Sequence, residues 1–255
     1  MKMFASERRN EIMKILQQKQ RLTVKEIAEQ ISTSEATIRA DLTKLEMDGL
    51  LTRTHGGAIL NEGVSNETSF YFREKKHKSE KRKIAVKALE LIKNQQCILL
   101  DASSTTVELA RHLKNIPFQL TVVTNGIQTA LELKDNPLIT VILIGGIVTK
   151  GSTSIEGDLG IQTLDQVNID LMFTSASGFS IESGLTDFNL YEVELKREMV
   201  KRAKEIVALV DHSKINLSSS AVFCLSNQIN TFITDQPMDE ELYRELKKLN
   251  VKIID

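Results

Sequence analysis

From residue 97 onward the chain alternates short apolar runs with stretches of helical spacing, and few folds accommodate that rhythm. "CILLD" is followed by "ASSTTVELARHL", and "LTVVTN" by "GIQTALELKDN". Farther on come "ITVILIGG", "IDLMFTSASG", the helical "LYEVELKREMVKRA", "EIVALVD" and "TFITD". Strands apolar on both sides must be covered on both sides, and strands separated by helices run parallel. The segment therefore predicts a mostly parallel α/β sheet between helical layers. A further amphipathic helix, "RKIAVKALELI" with Ile84, Ala88 and Leu91 on one stripe, leads into it.

Residues 1–60 follow a different pattern. "SERRNEIMKILQQ" sets Ile12, Ile15 and Leu16 at helical spacing, with Ser6 as its expected N-cap. In "TVKEIAEQI", Thr23 with Glu26 three residues later forms a capping-box signature, and Val24, Ile27, Ala28 and Ile31 make the inner face. In "SEATIRADLTKL", Ile38, Leu42 and Leu45 share one stripe; Ala36, Ala40, Thr43 and Met47 fall opposite, flanked by Arg39 and Lys44. "LTRTHGGAIL" reads as a hairpin turning at Gly56–Gly57. Three short helices and a hairpin are the parts of a winged helix-turn-helix. The aperiodic "NEGVSNET" and the basic "REKKHKSEKRK" mark 61–82 as a linker and leave 83–255 to the α/β domain.

Charge divides along the same line. Residues 1–87 carry 18 Lys/Arg against 12 Asp/Glu, and the remainder 15 against 22. A basic front on an acidic body points to a polyanion partner for the front alone, although the basic run would serve equally as a solvated helix. With 41% hydrophobic and 26% charged residues the chain is expected to be globular. No apolar run approaches the roughly 20 residues of a membrane span, and "MKMFASERRNEIMK" lacks a signal-peptide core, so a cytoplasmic protein is expected. Cys97 and Cys224 sit in apolar runs as buried thiols, not a disulfide or metal pair. The histidines, His55, His77, His112 and His212, show no paired spacing, so no metal and no cofactor is expected.

Winged modules lay one helix in the major groove of double-stranded DNA, where polar side chains reach bases and phosphates. Ser34, Thr37, Arg39, Thr43 and Lys44 suit that role, with Arg39 free in type to pair with guanine or to hold a phosphate. Arg53 and His55 would extend the contact through the hairpin. Taken alone, the helix would serve equally as a solvated surface helix and His55 as a turn residue; the three-helix frame with its hairpin favours DNA.

In the α/β part, Asp101 ends a strand and Ser103, Ser104 and Thr105 open a helix, whose amides and dipole favour phosphate. Thr124, Asn125, Gly145 and Gly146 end two further strands, and ligands of open α/β sheets bind beyond carboxyl ends. Asp211 and Lys214 follow another. The hydroxyls would also serve merely as caps, the glycines as turns and Lys214 as an exposed lysine. A sugar-phosphate isomerase needs a positioned carboxylate base, for which Asp101, Glu182, Asp187 and Asp211 are available in type.

The front module, with its R-x(3)-I start, S-x-x-T-I-R-x-D-L helix and R-x-H-G-G-A wing, closely resembles the DNA-binding domain of the DeoR family of bacterial transcriptional regulators. Ala40 replaces a second arginine frequent in that family. The segment 83–235, with D-x-S-S-T-T, V-V-T-N, I-G-G, D-L-M-F-x-S-A-S-G, E-x-G-L-T and D-x-S-K, resembles the family's sensor domain, similar in fold to ribose-5-phosphate isomerase. Here "SKINLSSS" replaces the usual tail after D-x-S-K, and Gln96 stands where a glycine is usual. The resemblance implies a repressor, not an enzyme, with Ser34, Thr37, Arg39, Arg53 and His55 near an operator. It also implies a phosphorylated sugar effector held by Asp101, Ser103, Ser104, Thr105, Thr124, Asn125, Gly145, Gly178 and Lys214. A homodimer or higher homo-oligomer is expected, because one recognition helix offers little specificity and paired half-sites multiply it.

Overall fold

The computed structural model describes residues 4–47, 51–60, 70–149 and 152–255. The chain forms two units, residues 1–72 and 73–255. The first contains α1 (Ala5–Lys19), β1 (Arg21–Thr23), α2 (Val24–Ile31), α3 (Glu35–Met47), β2 (Leu51–Thr54) and β3 (Gly57–Leu60). Ile12, Leu16, Ile27, Ile38, Leu42 and Leu45 are fully buried in its core, as their spacing requires. The Thr23 capping box is present: its hydroxyl accepts from the Glu26 N–H at 3.2 Å, and the Glu26 carboxylate accepts from the Thr23 N–H at 2.7 Å. Ser6 is not the cap of α1. The helix starts at Ala5, and the Phe4 N–H is taken by the Glu7 carboxylate at 3.1 Å.

The hairpin pairs β2 with β3 antiparallel, but Gly57 opens β3 instead of lying in the turn, and β1 adds a third strand, in order β1-β3-β2. A Cβ on Gly57 would stand 2.0 Å from the Leu22 carbonyl oxygen, so glycine there allows β1 to close on β3.

The basic stretch read above as linker or solvated helix is largely helical. Residues 61–69 lie outside the described residues, but α4 (Phe70–Lys75) and α5 (Lys78–Leu89) are helical through the stretch expected to be linker. Beyond them come β4 (Cys97–Leu100), α6 (Ser104–Leu113), β5 (Leu120–Thr124), α7 (Ile127–Leu133), β6 (Ile139–Leu143) and the short α8 (Ile161–Leu164). Then follow β7 (Ile169–Thr174), β8 (Gly178–Ser180), β9 (Gly184–Asp187), α9 (Leu190–Arg202), β10 (Ala203–Leu209), β11 (Ala221–Cys224), β12 (Thr231–Ile233), α10 (Glu240–Lys248) and β13 (Lys252–Ile254).

Seven of these strands form one sheet, ordered β13-β12-β10-β7-β4-β5-β6, and every pairing in it is parallel. Alternation sorts its side chains into two cores. Ile98, Leu100, Leu171, Phe173, Val207 and Leu209 pack with α5 and α6; Leu99, Met172, Ile206 and Ala208 pack with α9 and α10. The strands β8, β9 and β11 were not legible as strands and form a separate antiparallel sheet, whose Phe179, Leu185 and Phe223 join the second core. Both cysteines are free thiols, and burial pushes Cys224 up to about 12.

Gly57→Ala is expected to destabilise the amino-terminal unit by about 1–3 kcal/mol, since the methyl must displace backbone. Urea unfolding followed by amide exchange in β1–β3 measures this; an unmoved midpoint would mean that β1 does not approach β3 as described.

Candidate functional site

The exposed side of α3 is polar and small except at its last residue, exposed Met47. Ser34, Arg39, Thr43 and Lys44 are exposed and Thr37 is half-buried. Ser34 starts the helix: its hydroxyl accepts from the Thr37 N–H at 3.3 Å and lies 2.8 Å from the Thr37 hydroxyl. Arg39 pairs with Glu35 one turn earlier at 2.8 Å, an exposed pair that a stronger anion would readily displace. From the wing, the Arg53 guanidinium donates to the Thr43 hydroxyl at 2.8 Å, and its backbone N–H donates to Glu46 at the same distance. Helix and wing thus share one polar surface, with His55 exposed at the hairpin turn. Asp41 of the same helix is buried, 2.5 Å from Arg8 of α1. This ion pair fixes the third helix against the first, and periodicity alone could not reveal it.

In the second unit the seven-stranded order places the chain reversal at β4. From there the chain runs outward to β5 and β6, then returns to β7 on the other side. Ligands bind such open sheets in the crevice at this point, beyond the carboxyl ends of the strands. Asp101, directly after β4, is fully buried there. Its Oδ1 accepts from the Ser103 N–H and the Thr106 hydroxyl, both at 3.0 Å; its Oδ2 accepts from the Thr174 hydroxyl at 2.6 Å and the Ser175 N–H at 3.1 Å. Thr105 donates to the Ser175 hydroxyl at 3.3 Å, and Lys214 donates to that same oxygen at 3.2 Å. Asp101, Thr105 and Lys214 therefore converge on Ser175, a residue the sequence reading passed over. All the strands point one way, so the loops after β4, β7 and β10 meet at one edge.

Lys196 of α9 was also missed. It is completely buried, with its ammonium 2.7 Å from Asp187, 3.1 Å from Asp101 and 3.6 Å from Glu192, and it donates to the Ser175 carbonyl at 3.0 Å. Burial opposes its charge, but the three carboxylates more than offset that and hold it well above its ordinary value. Burial likewise opposes ionisation of Asp101 and Asp187, and Lys196 holds both below the usual range. Glu192 goes the other way, pushed up by burial with the Asp187 charge beside it. A lysine in an amphipathic helix with Glu192 four residues before it looks like an ordinary i,i+4 surface pair; only the fold turns it inward.

The remaining expected residues divide by role. Ser103 caps α6, accepting from the Thr106 N–H at 3.2 Å, and Ser104 is buried in the first turn. The Thr124 hydroxyl accepts from the Gly126 N–H at 2.9 Å. The Asn125 amide donates to the Ile155 carbonyl at 3.1 Å, while its own oxygen is buried with no hydrogen-bond partner. Gly145 follows β6 and faces open space. Gly178 lies in the small sheet, where a Cβ would meet the Leu217 carbonyl oxygen at 2.6 Å, so its glycine is required by packing. Glu182 is exposed, whereas Asp187 joins Asp101 on Lys196. At the opposite end of β4–β6, a cleft of about 400 Å³ between Gln95, Gln119 and Leu138 has no ionisable side chain in its lining.

The DeoR-like helix-turn-helix domain profile matches residues 8–64, and the DeoR C terminal sensor domain profile matches residues 76–236. The chain belongs to the DeoR family. The HTH-type transcriptional regulator GolR of Listeria innocua is 45% identical to it, over 98% of both chains. The HTH-type transcriptional repressor GlcR of Bacillus subtilis is 33% identical, over 99% of this chain and 96% of that one. A D-ribose-5-phosphate isomerase in complex with phospho-erythronic acid is similar at a TM-score of 0.41, covering 54% of each chain at 21% identity. DeoR-family membership decides between the regulator and the isomerase: this is a DNA-binding transcriptional regulator, not an enzyme. Among the described residues no helix is long and apolar enough to cross a membrane.

Lys196→Met leaves Asp101 and Asp187 buried without their cation and is expected to cost about 3–5 kcal/mol at pH 7. In the native chain both carboxylates are depressed, so their stabilisation is present above about pH 4 and is lost as pH falls through their folded values. In the variant the buried carboxylates protonate readily, so its deficit shrinks from pH 7 to pH 5. Urea unfolding at both pH values measures this, and a constant deficit would contradict the pairing.

Proposed function

We propose that this DeoR-family regulator represses sugar-metabolism genes and that a phosphorylated sugar, bound beyond the carboxyl ends of β4, β5, β7 and β10, controls its hold on the operator. The convergence of Asp101, Thr105 and Lys214 on Ser175 at the chain reversal carries this reading, because it joins hydroxyls, a helix start and a cation in one crevice. The hydroxyls and α6 amides suit phosphate, and the carboxylates suit sugar hydroxyls. Ser103, Ser104, Thr124, Asn125 and Gly145 complete the crevice, while Gly178 supports it through packing. GlcR is named a repressor, and an Escherichia coli relative, 29% identical over 91% of each chain, is a glycerol-3-phosphate regulon repressor.

On the other unit, Ser34, Thr37, Arg39, Thr43 and Lys44 of α3 contact the major groove, and Arg53 and His55 contact the backbone or minor groove. The regulator works as a homodimer or higher homo-oligomer, so that two α3 helices read paired half-sites. Effector and operator are then linked: whatever factor the sugar phosphate applies to operator affinity, the operator applies to the sugar phosphate.

Arg39→Ala is expected to weaken operator binding by about 1–3 kcal/mol, with the effector response retained. Lys214→Ala is expected to keep apo operator binding and lose the response to sugar phosphates. Mobility shifts with and without a panel of pentose and hexose phosphates measure both. Operator affinity indifferent to every sugar phosphate in the panel would count against the coupling.

A further inference from the structure

The two edges of the seven-stranded sheet are built differently. At one edge β13 is three residues long, with exposed Lys252 inside it and exposed Asp255 after it; short length and charge keep such an edge from pairing with another chain. At the other edge β6 is five residues long, and residues 136–149 around it contain no charged side chain. Hydrogen bonds to β5 fix which way its backbone faces. The Leu120 N–H donates to the Leu138 carbonyl and the Ile144 N–H to the Thr124 carbonyl, so the even-numbered residues of β6 face β5. The N–H and C=O groups of Val141 and Leu143 therefore point away from the sheet, and among the described residues no strand lies beyond them. The Ile139 N–H also turns outward but donates to the Asn136 carbonyl at 3.1 Å. Along this edge the side chains of Leu138, Leu143, Ile147 and Val148 are exposed, Leu143 at 43% and Ile147 at 55%. A long, uncharged, apolar edge is a template for a strand of another chain.

We propose that β6 is an interface of the homo-oligomer, where it pairs antiparallel with β6 of a second copy across a two-fold axis. This rests on the homo-oligomer reading above and gives it a surface. A two-fold axis sets each patch against itself, so any charge close to the axis meets its own like. The β6 edge satisfies that condition, whereas the β13 edge would bring two copies of Lys252 together. A neutral edge also offers no charge pattern with which to select a foreign strand. The backbone complements itself in one register. With the axis at Val141, that residue exchanges both hydrogen bonds with the partner's Val141, and the Leu143 N–H reaches the carbonyl of the partner's Ile139. The Ile139 N–H, already satisfied by Asn136, is the donor that this register leaves without a new acceptor. The pairing covers Leu138 and Leu143, which a lone copy leaves in water, and joins the two sheets into one.

The test follows the full chain by sedimentation velocity over a range of concentrations. The native chain should self-associate. Leu143→Lys should weaken that association at least about tenfold, because the axis brings two new cations onto a desolvated seam. Leu131→Lys, at an exposed position of α7, should leave it unchanged. Circular dichroism confirms that each variant folds, and Thr140→Lys, also at an exposed position, replaces Leu143→Lys if that variant does not. In hydrogen exchange the Val141 amide should be protected in the native chain and lose that protection in Leu143→Lys. Native association in both Leu143→Lys and Thr140→Lys would overturn this interface and leave the homo-oligomer reading standing. A native chain that is monomeric at every concentration would overturn both. Protection of the Val141 amide in such a monomer would give the edge to another segment of the same chain, again overturning the proposal.

Discussion

The second unit is organised around one buried ammonium. Lys196 sits with no solvent exposure where β4 and β7 end, joining Asp101, Asp187 and the Ser175 carbonyl. Each partner comes from a different part of the chain, so the charge is compensated only when the parallel sheet, the small antiparallel sheet and α9 are all in place. Burying an ion pair seldom adds net stability, but leaving one half unpaired is costly. The cluster therefore acts as a condition on the fold, and it orients the Asp101 carboxylate from which Ser103, Thr106, Thr174 and Ser175 hang.

The first unit solves a comparable problem with smaller means. Its helices bury a compact apolar core, and Arg8 with Asp41 sets α3 against α1. The face of α3 turned from that core keeps small and polar side chains except for exposed Met47 at its end, and the wing is tied to it through Arg53 and Thr43. Arg39 and Glu35 lie on the surface in a pair worth little in water. Such a pair holds the guanidinium without committing it.

At the start of the second unit, the basic run that the sequence left as linker or solvated helix is largely helical. Its charges separate into those facing water and a few that turn toward the second unit, Lys81 foremost.

Much of this was legible in the sequence. The strand–helix alternation specified a parallel sheet, the apolar stripes of the first three helices named most of their buried residues (Ile15 and Ile31 are half-buried, and buried Met13 was not among them), and Thr23 with Glu26 marked a helix start that the structure retains. Local signals erred where a competing neighbour decided the outcome. The helix α1 begins before Ser6, with Phe4 at its cap, Gly57 belongs to a strand because β1 packs against it, and β8, β9 and β11 pair in a separate antiparallel sheet that no strand–helix alternation marks. Local periodicity reports what a residue's own element requires, and so it could propose Asp101, Thr105 and Lys214 from the loops that carry them. It could not find Lys196 or Ser175, since a lysine in an amphipathic helix is written the same way whether it faces water or three carboxylates. Only the packing of distant segments, which sets the dielectric and the neighbours around each charge, decided that.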